Sequence, residues 1–389
     1  MRSRNQSRTF RRRRGNVIFL ALFFMVVMLG CLAFAIDIGT ILAARTELQR
    51  SADSAALAAA WDLIDEGAFD GDANLTAAIS SARATAADYA SYNAVRSDAP
   101  AVDQNLNNLA DGDVVVGYLA DPSSAGSALD LTDPSVFNAV KVRVQRTNQQ
   151  NGEIGLFFAR IFGITQASLE ADATAVVSSQ ISGFQIPYDG SNVGILPFAL
   201  DEDTWNDLVA GNTDDDWSWD EATQTITSGG DGILEANLYP QGTGSPGNRG
   251  TVDIGSSNNS TNDIARQIVH GASKSDLAYH GGSVELDSNG ELFLNGDTGI
   301  SAGVKDELAS IKGEPRVIPI FRTVTGPGNN AVYKIVKFVG IRIMDVKLTG
   351  PASKKYVMIQ PAVMATKGAI PTTEVNTSDL VFTPAYLVR

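Results

Sequence analysis

The sequence predicts an α+β protein hung from a membrane: a transmembrane helix continuing into an amphipathic stalk helix, a mixed α+β unit, and a β-rich second unit. Three observations point there. Val17 to Ile36 (VIFLALFFMVVMLGCLAFAI) is an uncharged run of 20 residues, which at about 1.5 Å per residue matches the roughly 30 Å of a bilayer core. A helical repeat of apolar and alanine positions follows it without a break. Beyond that, helical spacing gives way to strand alternation, increasingly so toward the C-terminus.

The basic stub comes first. Residues 1–16 hold seven arginines (Arg2, Arg4, Arg8 and Arg11 to Arg14) and no acid. Seven of the chain's 30 basic residues therefore precede the span, and 23 bases face 44 acids after it. The formal charge of −14 is thus a topology signal: arginines stay on the cytoplasmic side and the acidic body lies beyond. The alternative is a cleavable signal peptide, for which Ala33-Phe34-Ala35 offers a small-x-small site. Against it, the apolar run exceeds a usual h-region and the helical pattern runs straight through Ala35.

The stalk follows. Ile38, Ile41, Leu42, Leu48, Ala52, Ala55, Ala56 and Ala59 recur mainly at three- and four-residue steps. The small residues from Ala52 to Ala60 form a stripe that lets another helix approach closely. Leu75 to Asn93 reads as a second helix, and Ser97 to Gly112 as a polar connection. Val114 to Leu119, Ala139 to Gln145 and Leu169 to Val177 read as strands, with a short helical segment at Gly155 to Phe162. In the second strand Val140, Val142 and Val144 alternate with Lys141, Arg143 and Gln145, giving one buried and one wet face.

Gly183 to Gly194 punctuates the chain as a junction. Nine acids and no base lie between Asp201 and Glu221, with Trp205, Trp217 and Trp219 among them. This stretch reads as a solvated acidic loop pinned by tryptophans; the competing reading is a cation or saccharide surface. Asn212, Asp214 and Asp216 imitate the first ligands of a calcium loop, but Trp217 and Thr223 stand where glycine and glutamate are needed. Gly242 to Ser260 is flexible in composition. Ser260 or Thr261 can cap a helix through Val269, and Ser301 another that ends at Gly313. Val284 to Leu286 and Leu292 to Leu294 flank Asp287-Ser288-Asn289-Gly290, a hairpin signal. Strands follow at Arg316 to Thr325, Ala331 to Leu348 and Tyr356 to Gln360, the first two joined by a Gly326-to-Asn330 turn.

The expected organisation is a cytoplasmic basic stub (1–16), a span (17–36), a stalk helix with a first α+β extracytoplasmic unit (37–182), and a β-rich extracytoplasmic unit (183–389) carrying the acidic loop 201–221. The 389 residues, at roughly 150 per domain, accommodate this. With 44% hydrophobic and 19% charged residues, the chain can bury a core.

Particular residues carry a family resemblance. Arg14-Gly15, the apolar span, Asp37-Ile38-Gly39 and Leu48-Gln49-Arg50-Ser51-Ala52-Asp53-Ser54-Ala55-Ala56-Leu57-Ala58-Ala59-Ala60 resemble the N-terminal domain of TadG-like proteins over about residues 14–60. Fainter similarity continues to about Val177 through Tyr89, Tyr92, Asn93 and Phe157-Phe158-Ala159-Arg160-Ile161-Phe162-Gly163. The resemblance implies a part in assembly of Flp (tight-adherence) pili. Prepilins of that machinery carry a glutamate five positions after their cleavage glycine, where this chain has Leu20. An assembly or envelope component is therefore expected rather than a polymerising subunit. Longer TadG-like proteins can carry an Asp-x-Ser-x-Ser metal site. The nearest string, Asp253-Ile254-Gly255-Ser256-Ser257, has Gly255 at its middle position, and no metal is expected there.

Motifs for chemistry are missing from the sequence. It has no phosphate loop, no nucleophile elbow and no His-Glu-x-x-His. The one cysteine, Cys31, excludes an intramolecular disulfide framework and a cysteine zinc cage. His270 and His280 read as solvated or locally bonded, and Asp37, at the outer membrane edge, as a helix-boundary or partner-helix contact. The expectation is a non-enzyme with no catalytic, cofactor or metal residues, seated in the cell inner membrane with its bulk periplasmic. Its partners would be the bilayer through 17–36 and envelope or pilus-assembly proteins through the Ala-rich stalk; nucleic acid is excluded by the net charge. One alternative is a secreted or surface-attached binding protein with a cleaved signal peptide. Another is an extracytoplasmic hydrolase, for which no carboxylate pair stands out.

Overall fold

The computed structural model of the chain describes residues 16–64, 72–122, 127–239, 250–255, 260–298, 300–326 and 330–388. The basic stub up to residue 15, most of the glycine-rich stretch from 242, Ser256 and Ser257, and the turn tip 327–329 lie outside the described residues. The protein is mixed α+β, with a long apolar N-terminal helix and a β-rich C-terminal part.

Helix α1 spans Asn16–Trp61, 46 residues, or about 70 Å at 1.5 Å per residue. No proline interrupts it, and Thr40 and Thr46 return their hydroxyls to carbonyls one turn back. Among the described residues, its apolar stretch from Val17 to Ile36 buries none of its side chains. Its second half buries one face: Ala44, Leu48, Ala52, Ala55, Ala56, Ala59 and Ala60 are fully covered. Helix α2 (Asp72–Tyr92) meets that face with Ala82, Ala86 and Ala90. Alanine on both sides lets the helices close on one another, and the buried Ser51 hydroxyl donates to the Ala90 carbonyl at 3.0 Å.

Both helices cover one side of a four-stranded antiparallel sheet ordered Val114–Gly117, Ala139–Arg146, Leu169–Val176, Tyr386–Val388. The expected alternation is present: Val140, Val142 and Val144 enter the core shared with the α1 alanines. The last strand was not expected. Residues 386–388 cross back from the far end of the chain to pair with 174–176. Two buried arginines close this unit. Arg83 donates to the Gln104 and Asn105 carbonyls, and Arg146 to those of Val95 and Gly152 while pairing with Asp98 at 3.0 Å.

In the β-rich part the strand Ala331–Lys347 is the hub. It pairs antiparallel with Pro315–Thr325, Leu292–Thr298 and Tyr356–Pro361, and parallel with Ser378–Asp379. Pro315–Thr325 also pairs with Phe198–Asp201, which pairs with Gly250–Val252, which returns to Leu292–Thr298. Five strands therefore close a ring. Cores lie on both sides of it: Phe198, Leu200, Ile318, Ile320, Ile341 and Ile343 in one, Val252, Leu294, Phe321, Tyr333 and Phe338 in the other. Burial of both faces explains why apolar residues occupy consecutive positions in the hub strand, as at Ile335-Val336 and Phe338-Val339, instead of strictly alternating.

Two local expectations are corrected. Val284 and Leu294 do not belong to one hairpin. The turn forms, with Asp287 N–H donating to Glu291 at 2.9 Å and Gly290 at φ 71°, but its strands part. Ser283–Glu285 pairs with residues 183–185 and Leu292–Thr298 with residues 331–335. Short flanks offer each other few ladder bonds, whereas the long hub strand and the 181–185 strand offer larger buried surfaces. Likewise the acidic stretch 201–221 is partly regular. Asp201 caps helix α3 (Glu202–Val209), and Trp217–Asp220 pairs with Thr225–Ser228. Trp205 and Leu208, three apart, bury the inner face of α3.

Candidate membrane-interface site

The point where α1 leaves its exposed apolar half is marked by Asp37. It follows the 20-residue uncharged run directly, yet it is only 5% exposed. A carboxylate so placed requires partners, because desolvating the charge without them is expensive. It finds them 120 residues along the chain. One oxygen accepts the Phe157 N–H at 2.8 Å, and the other accepts those of Phe158 at 2.9 Å and Ala159 at 2.6 Å. These are the leading donors of the 3-10 turn Ala159–Phe162, so Asp37 caps it from another element. Three N–H groups converging on one carboxylate stabilise its ionised form. Arg160 folds back on the same segment, donating Nε to the Leu156 carbonyl at 2.7 Å.

The clasp fixes a run of apolar side chains beside the end of the exposed apolar stretch of α1. Phe157, Phe158, Ile161, Phe162 and Ile164 are all exposed, Ile161 by 80% and Phe162 by 82%. On α1 itself Ile38 and Leu42, one turn apart, continue the exposed apolar face past Asp37. The short antiparallel pairing of Ile154–Gly155 with Gln166–Ala167 forms the base of the loop. Gly163 ends the 3-10 turn at φ 82°, a backbone conformation that glycine adopts without strain.

Farther along, the stalk is tied to its own body. Gln49 donates to the Asp172 carbonyl at 3.0 Å, Glu47 accepts the Arg96 N–H at 2.6 Å, and Asn93 donates to Ser54 at 2.9 Å. The alanine stripe expected to meet other proteins is therefore occupied by α2 and the first sheet. The reason is size: alanine permits the closest approach, and the chain uses it for its own core. What α1 leaves exposed beyond Asp37 includes Arg45, Thr46, Gln49 and Arg50.

The other candidate residues are dispersed. His270 ends helix α4 (Thr261–His270). His280 bonds through Nε2 to the Asp253 carbonyl at 3.0 Å, and burial pushes its pKa down. In the acidic stretch, Trp205 donates to Asp379 at 2.7 Å, Glu202 pairs with Arg322 at 2.7 Å, and Trp219 lies against the Arg342 guanidinium at 4.3 Å. Asp214, Asp216 and Asn212 do not converge. Instead the Asp216 N–H donates to Glu235 at 2.8 Å, and Asp215 accepts the Gly232 N–H at 3.0 Å. Glu235, 2% exposed, is pushed up to about 7 by burial and by Asp215 and Asp231 nearby. Among the described residues no cluster of His, Cys, Asp or Glu has the arrangement to hold a metal ion.

Sequence comparison finds two family matches in the N-terminal part of the chain. Residues 15–62 match the Tad family, TadE/G-like Flp pilus assembly, and residues 58–175 match Tad_C, Tad-like Flp pilus assembly. The N-terminal part of the chain is similar to these two families over residues 15–175. The first match covers α1, and the second covers α2 and three strands of the first sheet, ending one residue short of the end of Leu169–Val176. No curated protein and no solved structure matches the chain. The Asp37 clasp thus joins the two Tad regions, with Asp37 in one and Phe157 to Ala159 in the other. Sequence reading singled out Asp37 and the Phe157-to-Gly163 run separately but not their contact. The available signal was the run itself, too apolar for a surface loop and too short for a core helix.

Proposed function

We propose that the chain is a single-pass protein of the bacterial inner membrane that takes part in Flp pilus assembly through protein contacts rather than catalysis. In this reading its N-terminus is cytoplasmic and its acidic body periplasmic. The observation that carries it is the division of α1: one continuous helix, apolar and unburied from Val17 to Ile36, and packed over its later turns against a body that matches the Tad-like family model. The arginine-rich stub supports the orientation, since positive residues are retained on the cytoplasmic side. Cleavage after Ala35 would leave Asp37 at a frayed helix start, which argues for retention of the anchor. Partner proteins would then meet the polar faces of the stalk, including Arg45 and Arg50, because the alanine stripe is covered.

Deletion and complementation test this. Cells lacking the chain should lose surface Flp pili, and the intact chain should restore them. A secreted version starting at Asp37 behind an exchangeable signal peptide should not. Restoration by the secreted version would refute the anchored reading, and normal piliation without the chain would refute the assembly role.

A further inference from the structure

We infer that the loop Phe157–Ile164 is a second membrane contact, lying in the outer interfacial layer of the same bilayer that α1 crosses. This rests on the anchored reading above and adds to it a lipid-binding element in the folded body. The argument starts from solvent exposure. Five large apolar side chains within eight residues (Phe157, Phe158, Ile161, Phe162 and Ile164) project outward, an arrangement that water disfavours and that marks an interaction surface. Their height is fixed. The Phe157, Phe158 and Ala159 amides bond directly to Asp37, the residue that ends the uncharged span, so the loop lies within one hydrogen bond of the bilayer edge.

The surface is also continuous with lipid-facing helix. Exposed Ile36, Ile38 and Leu42 on α1 extend the apolar surface through the same level. From Ile154 to Thr165 the only charged residue is Arg160. Its side chain is solvent-exposed and suits a site among lipid phosphates, with an aliphatic stem against apolar groups and a charged head outside. An apolar face with one cation at its border is the composition of an interfacial segment. The clasp accounts for the buried acid as well: the loop covers Asp37 from hydrocarbon and supplies its three donors. Two attachments, helix and loop, would hold the body at a set tilt to the membrane, where a single helix would let it swivel.

Fluorescence in vesicles tests this. In a Cys31→Ser background, single cysteines are placed at Phe162, at Ile161, at Phe24 in the span, and at exposed Ala222 in the β-rich part. Each is labelled with an environment-sensitive dye and the full chain is reconstituted into phosphatidylglycerol-containing vesicles. The expected result is blue-shifted emission at 161 and 162, quenched by lipid with a nitroxide near the ester and protected from aqueous iodide, with Ala222 showing the reverse. Phe24 should be quenched by a nitroxide deep in the acyl chain. Iodide-accessible, lipid-insensitive labels at 161 and 162, with Phe24 quenched, overturn the loop contact and leave the span intact. Labels shielded from iodide yet unaffected by nitroxide lipid also overturn it, showing a protein occupant. An unquenched Phe24 overturns the span reading itself, and the inference with it.

Discussion

Replacing Asp37 by alanine should free the Phe157–Ile164 loop while leaving the rest of the body folded. The carboxylate accepts three N–H groups at 2.6–2.9 Å and is almost fully buried. Hydrogen bonds to a charged group contribute about 1.5–3 kcal/mol each, and they are not additive when they share one acceptor. A loss of about 3 kcal/mol of local stability is a reasonable total for the three. With a tenfold change for every 1.4 kcal/mol or so, amide exchange at Phe157, Phe158 and Ala159 should speed up roughly a hundredfold. Asp37→Asn keeps one accepting oxygen and should give an intermediate effect. Residue-resolved hydrogen exchange on the full chain in nanodiscs reads this directly. The Leu156 N–H is an internal control, since it donates to Thr165 at 3.0 Å independently of Asp37. The amides of α2 between Ala82 and Ala90 report global unfolding. Unchanged exchange at 157–159 in Asp37→Ala, with Leu156 and α2 protected, would refute the clasp.

Other outcomes follow from the packing and the buried charges. Ala56→Leu forces a larger side chain into the α1–α2 contact and should cost about 1–3 kcal/mol in denaturant unfolding, whereas Arg45→Ala on the exposed face should stay within about 0.5 kcal/mol. Gly313→Ala should destabilise the β-rich part by more than about 1 kcal/mol, because Gly313 has φ 84° and a Cβ there would come within 2.4 Å of the Trp219 ring. A shift in Trp219 emission should accompany the loss. Glu235 should make stability fall with rising pH. Its folded carboxyl takes up a proton near 7 and its unfolded one near 4.5, so the folded state binds more protons between those values. The contribution is fully present below about 4.5 and lost as pH passes about 7. Glu235→Gln should flatten that part of the melting-temperature profile relative to wild type; identical profiles would contradict it.

Much of the fold was legible where the pattern is local. The 3.6-residue spacing gave α1 and α2, and serine caps at Ser260 and Ser301 start the turns they were expected to start. Two-residue alternation marked Ala139–Arg146 to within one residue. What was not legible depends on partners distant in sequence. Nothing in Tyr386–Val388 announces that it pairs with residues 174–176, more than 200 positions earlier. The flanks of the Asn289-Gly290 turn look like a hairpin because local alternation does not say which strand wins the pairing. The site divides the same way. Asp37 stood out as an acid at a membrane edge, but its contact is a loop of its own chain, not a neighbouring helix. The alanine stripe was legible as a packing face, and only the fold shows that α2 and the first sheet already fill it.

The anchored, outward-facing body can be tested most directly by labelling a single cysteine at Ala222 in the Cys31→Ser background. Spheroplasts are treated with a membrane-impermeant maleimide, lysed, and extracted with carbonate. The expected result is a full-length chain in the pellet, labelled at 222 before lysis. A soluble chain beginning at Ile36, or labelling at 222 only after the inner membrane is opened, would contradict the account.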